Sequence, residues 1–194
     1  MVTHYFESHR GGIEIIAGRL LRELSRLGHE TVWVATDASP PPETIGFRVV
    51  PIPANNTMEN RLGVPFPVPT IRSARMIARE VQACDAVIMH DALYLTTVLA
   101  FAAARRFGKP TVIVQHIGAV PYRNPLLRVL MAIGNHVVAR PLLTRADRVV
   151  FYSEIAARYF ASVRFAAPPE WVLNGVDIDL FRPLADLLPL TSIR

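Results

Sequence analysis

The chain has 194 residues, of which 51% are hydrophobic and 19% charged, and its formal net charge is +5. This composition excludes a disordered chain and supplies the core of one domain, with or without a remnant of another. The single cysteine, Cys84, excludes an internal disulfide and a cysteine-based zinc site.

Most of the positive charge is arginine, since Lys109 is the only lysine. Arginine binds phosphate and carboxylate in a bidentate manner, so the excess of basic over acidic residues favours an anionic partner. The cations are scattered without interleaved aromatic residues, which argues against nucleic acid. No signal-peptide pattern opens the chain, and the apolar stretch 92–104 is shorter than the about 20 residues of a membrane span. We therefore expect a cytoplasmic protein, with peripheral contact at the inner face of the membrane as the alternative.

Short apolar runs alternate along the chain with longer runs of helical period, which predicts strands and helices in turn. The predicted strands cover residues 2–6, 30–36, 47–52, 86–89, 111–115, 148–152 and 170–173. The predicted helices cover residues 13–27, 70–82, 92–107, 124–144 and 154–160. This alternation predicts an α/β fold with a doubly wound, Rossmann-like parallel sheet and helices on both faces.

Several details of these elements follow from residue type. Four residues at helical spacing are predicted to form the buried face of the first helix: Ile16, Leu20, Leu24 and Leu27. Gly28 is predicted to end this helix in the left-handed conformation. Pro141 is predicted to break the helix over 124–144, and Ser153 to cap the helix that follows it. Residues 53–69, rich in proline and asparagine, are predicted to form a long functional or mobile loop.

Gly11 and Gly12 follow the first predicted strand and open directly onto a helix. A glycine pair lets the backbone approach a ligand, and the helix N-terminus offers free N–H groups to a phosphate, a carboxylate or a sugar hydroxyl. Neither the G-x-G-x-x-G fingerprint nor a P-loop is present here. A plain tight turn is the alternative, and Glu14, in the first helical turn, is either a ligand contact or a capping residue.

Ligands of a parallel sheet bind beyond the carboxyl ends of its strands, so the residues just after each strand are the candidates. His116 ends the fifth strand, where a histidine can donate to a sugar hydroxyl or a phosphate or act as an acid or base. A structural loop histidine is the alternative. Asp91 follows the fourth strand and either binds ligand hydroxyls, orients His90, or serves as the N-cap of the next helix. No spacing resembles a metal triad, so no metal is predicted.

Two segments combine apolar residues with exposed positions. Arg123 and Arg128 flank the start of the helix over 124–144, whose apolar face is interpreted as core, with a membrane surface as the alternative. The loop over 53–69 carries Leu62, Val64 and Phe66, which suit contact with an apolar acceptor or a membrane. A flexible lid is an equally good interpretation of that loop.

Four segments in order resemble retaining GT-B glycosyltransferases of the family 4 type. They are SHRGGIE with LLRELSRLGHE in the first loop and helix, GKPTVIVQHIG, ADRVVFYSEIAARYF and PEWVLNGVDIDLFRP. The resemblance covers nearly the whole chain. It implies transfer of a sugar from a nucleotide-diphospho-sugar donor to a sugar, lipid or polyol acceptor, with retention of configuration. It also implies no metal ion and no other cofactor, since helix dipoles and basic side chains stabilise the departing diphosphate.

The resemblance assigns roles to individual residues. Gly11 and Gly12 match the glycine loop that approaches the donor diphosphate and the acceptor, and His116 matches the histidine near the transferred sugar. Asn174, Gly175 and Asp177 match the hinge into a second Rossmann-like domain. Residues 1–173 are thus expected to form the acceptor-side domain, with 174–194 as a crossover segment and tail.

The donor-binding motifs of the family are not found in this sequence. We therefore expect a truncated or split enzyme that binds its acceptor and is inactive alone. A non-catalytic binding or scaffold subunit with a partner chain is the first rival. A nucleotide-dependent oxidoreductase is the second rival, and the missing glycine fingerprint argues against it.

Overall fold

Strands and helices alternate through the chain in the computed structural model, which describes residues 1–43, 46–63, 65–173 and 175. The strands are β1 Val32–Thr36, β2 Arg48–Ile52, β3 Ala54–Asn55, β4 Val68–Pro69, β5 Val87–His90, β6 Thr111–Gln115, β7 Arg148–Phe151 and β8 Glu170–Trp171. The α-helices are α1 Gly12–Arg26, α2 Thr57–Leu62, α3 Ile71–Ala83, α4 Leu95–Phe107, α5 Pro125–Gly134, α6 Arg140–Arg145 and α7 Glu154–Tyr159. The predicted order of elements is confirmed from the first helix onward, apart from the segment between β2 and α3.

The N-terminal segment completes a parallel sheet. Strands β1 and β2 pair in parallel, as do β5, β6, β7 and β8 in that order. Val2 forms parallel bridges to both Val34 and Met89, and its N–H donates to the carbonyl of Ile88 at 2.8 Å. Only Val2 of the strand predicted over residues 2–6 forms bridges, although the Thr36 N–H still donates to the carbonyl of His4 at 3.1 Å before the chain enters the 3-10 helix Glu7–His9.

Both faces of the sheet are covered, as the prediction of a doubly wound fold requires. Neighbouring residues of β1 point to opposite faces, so Trp33 packs with Phe6 and Leu21 of α1. Val34 instead belongs to the larger core beneath α3 and α4. A sheet buried on both sides explains why its strands are apolar runs without alternation.

The buried face of α1 is displaced from the predicted one, since Ile16, Leu20 and Leu24 are only partly buried. Ile13, Ala17 and Leu21 are the buried apolar residues of this helix, whereas Leu27 is 68% exposed. The cause is Trp33, since a Cβ on Gly18 would lie 3.2 Å from its indole ring. Ala17 and Gly18 therefore lie against this bulky side chain beside Leu21, whereas Leu27 is left exposed. The left-handed conformation of Gly28 is confirmed, at a φ of 90°.

Residues 53–69 are not the irregular loop that was predicted. Strands β3 and β4 pair in antiparallel fashion and enclose the six-residue helix α2. The Asn55 side chain accepts from the Thr57 N–H at 2.9 Å, and Gly63 ends α2 at a φ of 64°. A helix this short lies below the length at which periodicity can be recognised. Val64 lies outside the described residues, and Phe66 is half-buried.

The helix over residues 125–145 does not break at Pro141. A π-helical segment, Asn135–Ala139, joins α5 to α6, and the N–H of Arg140 donates to the carbonyl of Asn135. Pro141 lacks an N–H and needs room for its ring, which the widened turn before it supplies. Ser153 does precede α7, but its side chain makes no capping hydrogen bond.

Length and composition single out the same helix within the described residues as able to cross a membrane. It runs over 21 residues, Pro125–Arg145, with a mean hydropathy of 1.3, and 17% of its most apolar 18-residue window is buried. The prediction that considered only residues 92–104 missed it, because three arginines interrupt the apolar sequence.

Candidate functional site

The order of the sheet places the candidate site. From edge to edge the parallel sheet runs β2, β1, the Val2 segment, β5, β6, β7 and β8. The Val2 segment lies between β1 and β5. The chain passes from this segment to β1 on one side and later returns to β5 on the other side, so the Val2 segment and β5 flank the switch point of the doubly wound sheet. The residues at the carboxyl ends of these two strands and of the neighbouring strand β6 form what we call the switch-point rim.

His116 is paired with His90 at this rim. The Nδ1 atom of His90 lies 3.0 Å from Nε2 of His116, and the two rings are stacked. His90 is fully buried and its pKa is well below the ordinary range because of that burial. Burial also lowers the pKa of His116 to about 4. Both rings are therefore neutral near pH 7, so His116 can donate or accept a hydrogen bond there but is not a cation.

Asp91 is not a helix N-cap, because α4 begins after Tyr94. It adopts a left-handed conformation with a φ of 64°, and its Oδ1 accepts from Nε2 of Gln115 at 3.1 Å. Gln115 also donates to the carbonyl of Ile117 at 2.6 Å, which ties the loop after β6 to the end of β5. Burial raises the pKa of Asp91 to about 6. No hydrogen bond joins the Asp91 carboxyl to the His90 ring, so the predicted role of orienting that ring is not observed.

The two glycines before α1 differ in their surroundings. A Cβ on Gly11 would lie 2.0 Å from Oε2 of Glu14, whose carboxylate folds back over this residue. Gly12 has nothing within 4 Å of the same position. Glu14 is only 3% exposed, and burial raises its pKa. The Glu14 carboxylate therefore covers Gly11 at the start of the helix, while the backbone at Gly12 stays open.

An aromatic and acidic group that the sequence did not predict lies beside the same rim. His4 stacks on Tyr94 with ring centroids 4.2 Å apart, and burial lowers its pKa to about 3. Tyr5 stacks on His9 at 3.8 Å and donates its hydroxyl to Glu59 of α2 at 2.8 Å. Their assembly depends on α2, which was predicted as loop, so no pattern in the sequence marked Glu59.

Six buried polar atoms find no hydrogen-bond partner in the part of the chain that the structure describes; two, in His9 and Asn56, belong to the group around Glu59, and the other four lie at the rim or in the segments packed on it. These four are Nε2 of His4, Nε2 of His90, Oδ2 of Asp91 and Oδ1 of Asn135. Buried polar atoms are normally satisfied, so each of these has capacity for a ligand or a water molecule. Asn135 also donates to the carbonyl of Gly118 at 2.6 Å, which brings the π-helical segment to the same loop.

The described residues offer no metal site, and their surface hollows lie away from the rim. No group of three His, Cys, Asp or Glu side chains in this part of the chain could hold a metal ion. Two open hollows of about 580 and 430 Å³ lie around Thr31 and Arg48, at the start of the strands. Of the predicted hinge residues, Asn174 and Asp177 lie outside the described residues, and Gly175 has open space around it.

These features define a Rossmann-like α/β domain with buried, partly unsatisfied polar groups at its switch point. The solved structure of MurG from Acinetobacter baumannii is similar, with a TM-score of 0.51 at 15% identity over 89% of this chain. The match covers 44% of the MurG chain and corresponds to the N-terminal domain of its GT-B fold. No curated protein matches this sequence.

A family-wide sequence profile makes the assignment specific. The profile of Glycosyltransferase Family 4 matches residues 10–180, which is most of the chain. The chain belongs to glycosyltransferase family 4, and its fold is that of a GT-B N-terminal domain.

Proposed function

We propose that this domain is the acceptor side of an enzyme that transfers a sugar from a nucleotide-diphospho-sugar to a sugar, lipid or polyol acceptor, with retention of configuration. Membership of glycosyltransferase family 4 supports the reaction class. The observation that carries the site assignment is the set of buried, unsatisfied polar atoms gathered with His116 at the switch-point rim. A sugar presents hydroxyls that both donate and accept, which suits a mixed set of imidazole nitrogens and carboxylate and amide oxygens.

His116 is proposed to donate a hydrogen bond to the sugar as a neutral imidazole. Its hydrogen bond with His90 occupies Nε2, so Nδ1 is the nitrogen that remains for a ligand. If His90 donates to His116, the Nδ1 atom of His116 carries the proton that a sugar oxygen can accept. A neutral donor at this point orients a hydroxyl without attracting the diphosphate.

The open start of α1 is proposed to face the donor diphosphate. The N–H groups of the first helical turn and the helix dipole favour an anion there, and Gly12 leaves space for it. Arg10, exposed just before the helix with a φ of 61°, supplies a positive charge beside the same turn. On this proposal the donor must also be contacted by residues other than 1–175. Residues 1–175 are therefore not expected to catalyse transfer by themselves.

Binding to the rim is the direct test. We expect nucleotide-diphospho-sugars or acceptor sugars to shift the NMR signals of the His116 and Asp91 backbone amides in the 194-residue chain. His116→Ala and Gly12→Val should weaken binding at least about tenfold, as expected when a hydrogen bond or a close approach is lost. His29→Ala, exposed at the opposite end of the sheet, is the matched control. If every ligand tried shifted only NMR signals of residues away from the rim, the assignment of the binding site to the rim would be refuted.

Product stereochemistry tests the proposed reaction. Where this domain acts together with a donor-binding domain, the anomeric carbon of the product should keep the configuration that it has in the donor. The ¹H coupling constant of the anomeric proton reports this directly. An inverted product would exclude retention while leaving the binding site at His116 intact.

A further inference from the structure

Helix α5 stands away from the core, although nearly all of its residues are apolar. None of its ten residues is buried, and Arg128 is its only charged residue. Five residues spaced three or four apart form one exposed stripe that continues into the π-helical segment: Leu126, Val129, Leu130, Ile133 and Val137, each more than half exposed. We call this set the α5 stripe. A contiguous apolar stripe of this kind marks a surface that is covered by a partner.

The charges around the stripe indicate the nature of that partner. Between Asp91 and Asp147 the sequence has no acidic residue. Arg123 precedes the helix, Arg128 lies off the stripe near its start, and both are exposed, as is Arg145 beyond its far end. Apolar side chains with arginines nearby suit the boundary between acyl chains and anionic headgroups, where arginine reaches the phosphates with its long side chain. We propose that the α5 stripe docks this domain on an anionic lipid bilayer.

The helix lies on the bilayer in this proposal and does not cross it. Ala139 and Leu143, in the second half of Pro125–Arg145, are fully buried in the core of the domain. Spanning would pull these two residues out of the core, whereas docking leaves them in place. The first half of the helix is then free to enter the headgroup region with its long axis in the membrane plane.

The stripe adjoins the switch-point rim. The side chain of Asn135 donates to the carbonyl of Gly118, two residues beyond His116. A Cβ on Gly134 would lie 3.2 Å from Leu93, which follows Asp91. Docking through α5 would therefore hold the rim close to the membrane surface. This part of the inference deepens the proposed function, but the docking itself does not depend on glycosyl transfer.

Vesicle binding by the 194-residue chain tests docking without an activity assay. In co-sedimentation the chain should bind vesicles of equal parts phosphatidylcholine and phosphatidylglycerol, and bind phosphatidylcholine vesicles far less. Leu126→Gln with Leu130→Gln should lower the partition coefficient at least about tenfold. The matched control is Leu27→Gln, since Leu27 is 68% exposed and Leu126 is 71% exposed. Circular dichroism confirms that each variant is folded.

The charge contribution has its own pair of variants. Arg123→Gln with Arg128→Gln should lower binding to the anionic vesicles by about fivefold per arginine. Arg19→Gln with Arg79→Gln, exposed on α1 and α3, should leave binding unchanged. No binding to anionic vesicles, or equal losses in the stripe and control variants, would overturn the proposal. So would a wild-type dimer in sedimentation velocity that the leucine variants convert to monomer, because a second copy would then cover the stripe.

Discussion

His90 and His116 share a hydrogen bond between two imidazole rings, with 3.0 Å between Nδ1 of the first and Nε2 of the second. The bond joins the ends of two neighbouring strands, and it requires one ring to donate and the other to accept. Two protonated rings could not form it. The rim therefore keeps its arrangement only while at least one imidazole is neutral.

This pairing predicts how stability depends on pH. The pKa of His116 falls from its ordinary 6.5 to about 4 in the folded chain because the ring is buried. Between pH 6.5 and 4 the unfolded state binds a proton that the folded state does not. The free energy of unfolding should therefore fall as pH is lowered through this window, by up to about 1.4 kcal/mol per pH unit from this residue.

His116→Gln isolates that contribution in urea unfolding at a series of pH values. Relative to the wild type, the variant should gain stability as pH falls from 7 to 4, since it has no imidazole to keep neutral. His29→Gln controls for the loss of an exposed imidazole. Equal behaviour of the two variants would show that burial at the rim is not the cause.

Asp91→Asn is expected to stabilise the chain at alkaline pH. Burial raises the pKa of this carboxyl from 3.8 to about 6, so its charged form costs stability as pH rises through that range. Asparagine keeps the shape and tolerates the φ of 64°. Urea unfolding should give a free energy about 1–3 kcal/mol higher than wild type at pH 8, and little difference at pH 4.

The same substitution should weaken acceptor binding if Asp91 Oδ2 is the ligand contact, because a carboxylate oxygen is replaced by an amide. A stabilised variant with impaired binding is the pattern expected of a functional residue. A gain in stability over the wild type that is no larger at pH 8 than at pH 4 would contradict the burial argument.

Gly118→Ala should destabilise the loop after β6. A Cβ at this position would lie 2.7 Å from Cβ of Tyr159, an atom close to the backbone that cannot swing away. We expect the free energy of unfolding to fall by about 1–3 kcal/mol, the usual cost of overpacking. Gly12→Ala is the matched control, since no atom lies within 4 Å of its added Cβ. Equal midpoints in urea for the two variants would contradict this prediction.

Periodicity and composition predicted most of the sheet correctly. β6 agrees at both ends with its prediction, because its β-branched run is bounded by Pro110 and by polar residues. The core face of α1 could not be predicted, since it is set by the size of Trp33 on another element. Hydrophobicity favoured Leu20, Leu24 and Leu27, whereas steric fit favoured Ala17 and Gly18.

The candidate site was predictable in its position but not in its contacts. The rule that ligands bind beyond the carboxyl ends of strands led to His116 and Asp91 from the sequence. The hydrogen bond between His90 and His116 joins residues 26 apart and depends on the register of β5 against β6. The group around Glu59 depends on a short helix flanked by prolines and asparagines, which no local pattern distinguishes from a loop.

Asn135→Leu should separate the π-helical segment from the loop after β6. The side chain of Asn135 is 1% exposed, and its amide donates to the carbonyl of Gly118 at 2.6 Å. Leucine fills a similar volume but leaves this carbonyl without its donor, which should cost about 1–3 kcal/mol of unfolding free energy. His136→Leu, at the exposed neighbouring position, is the control. Hydrogen exchange at Gly118 and Val120 should quicken in the Asn135 variant alone, and equal exchange in both variants would show that this hydrogen bond does not hold the loop.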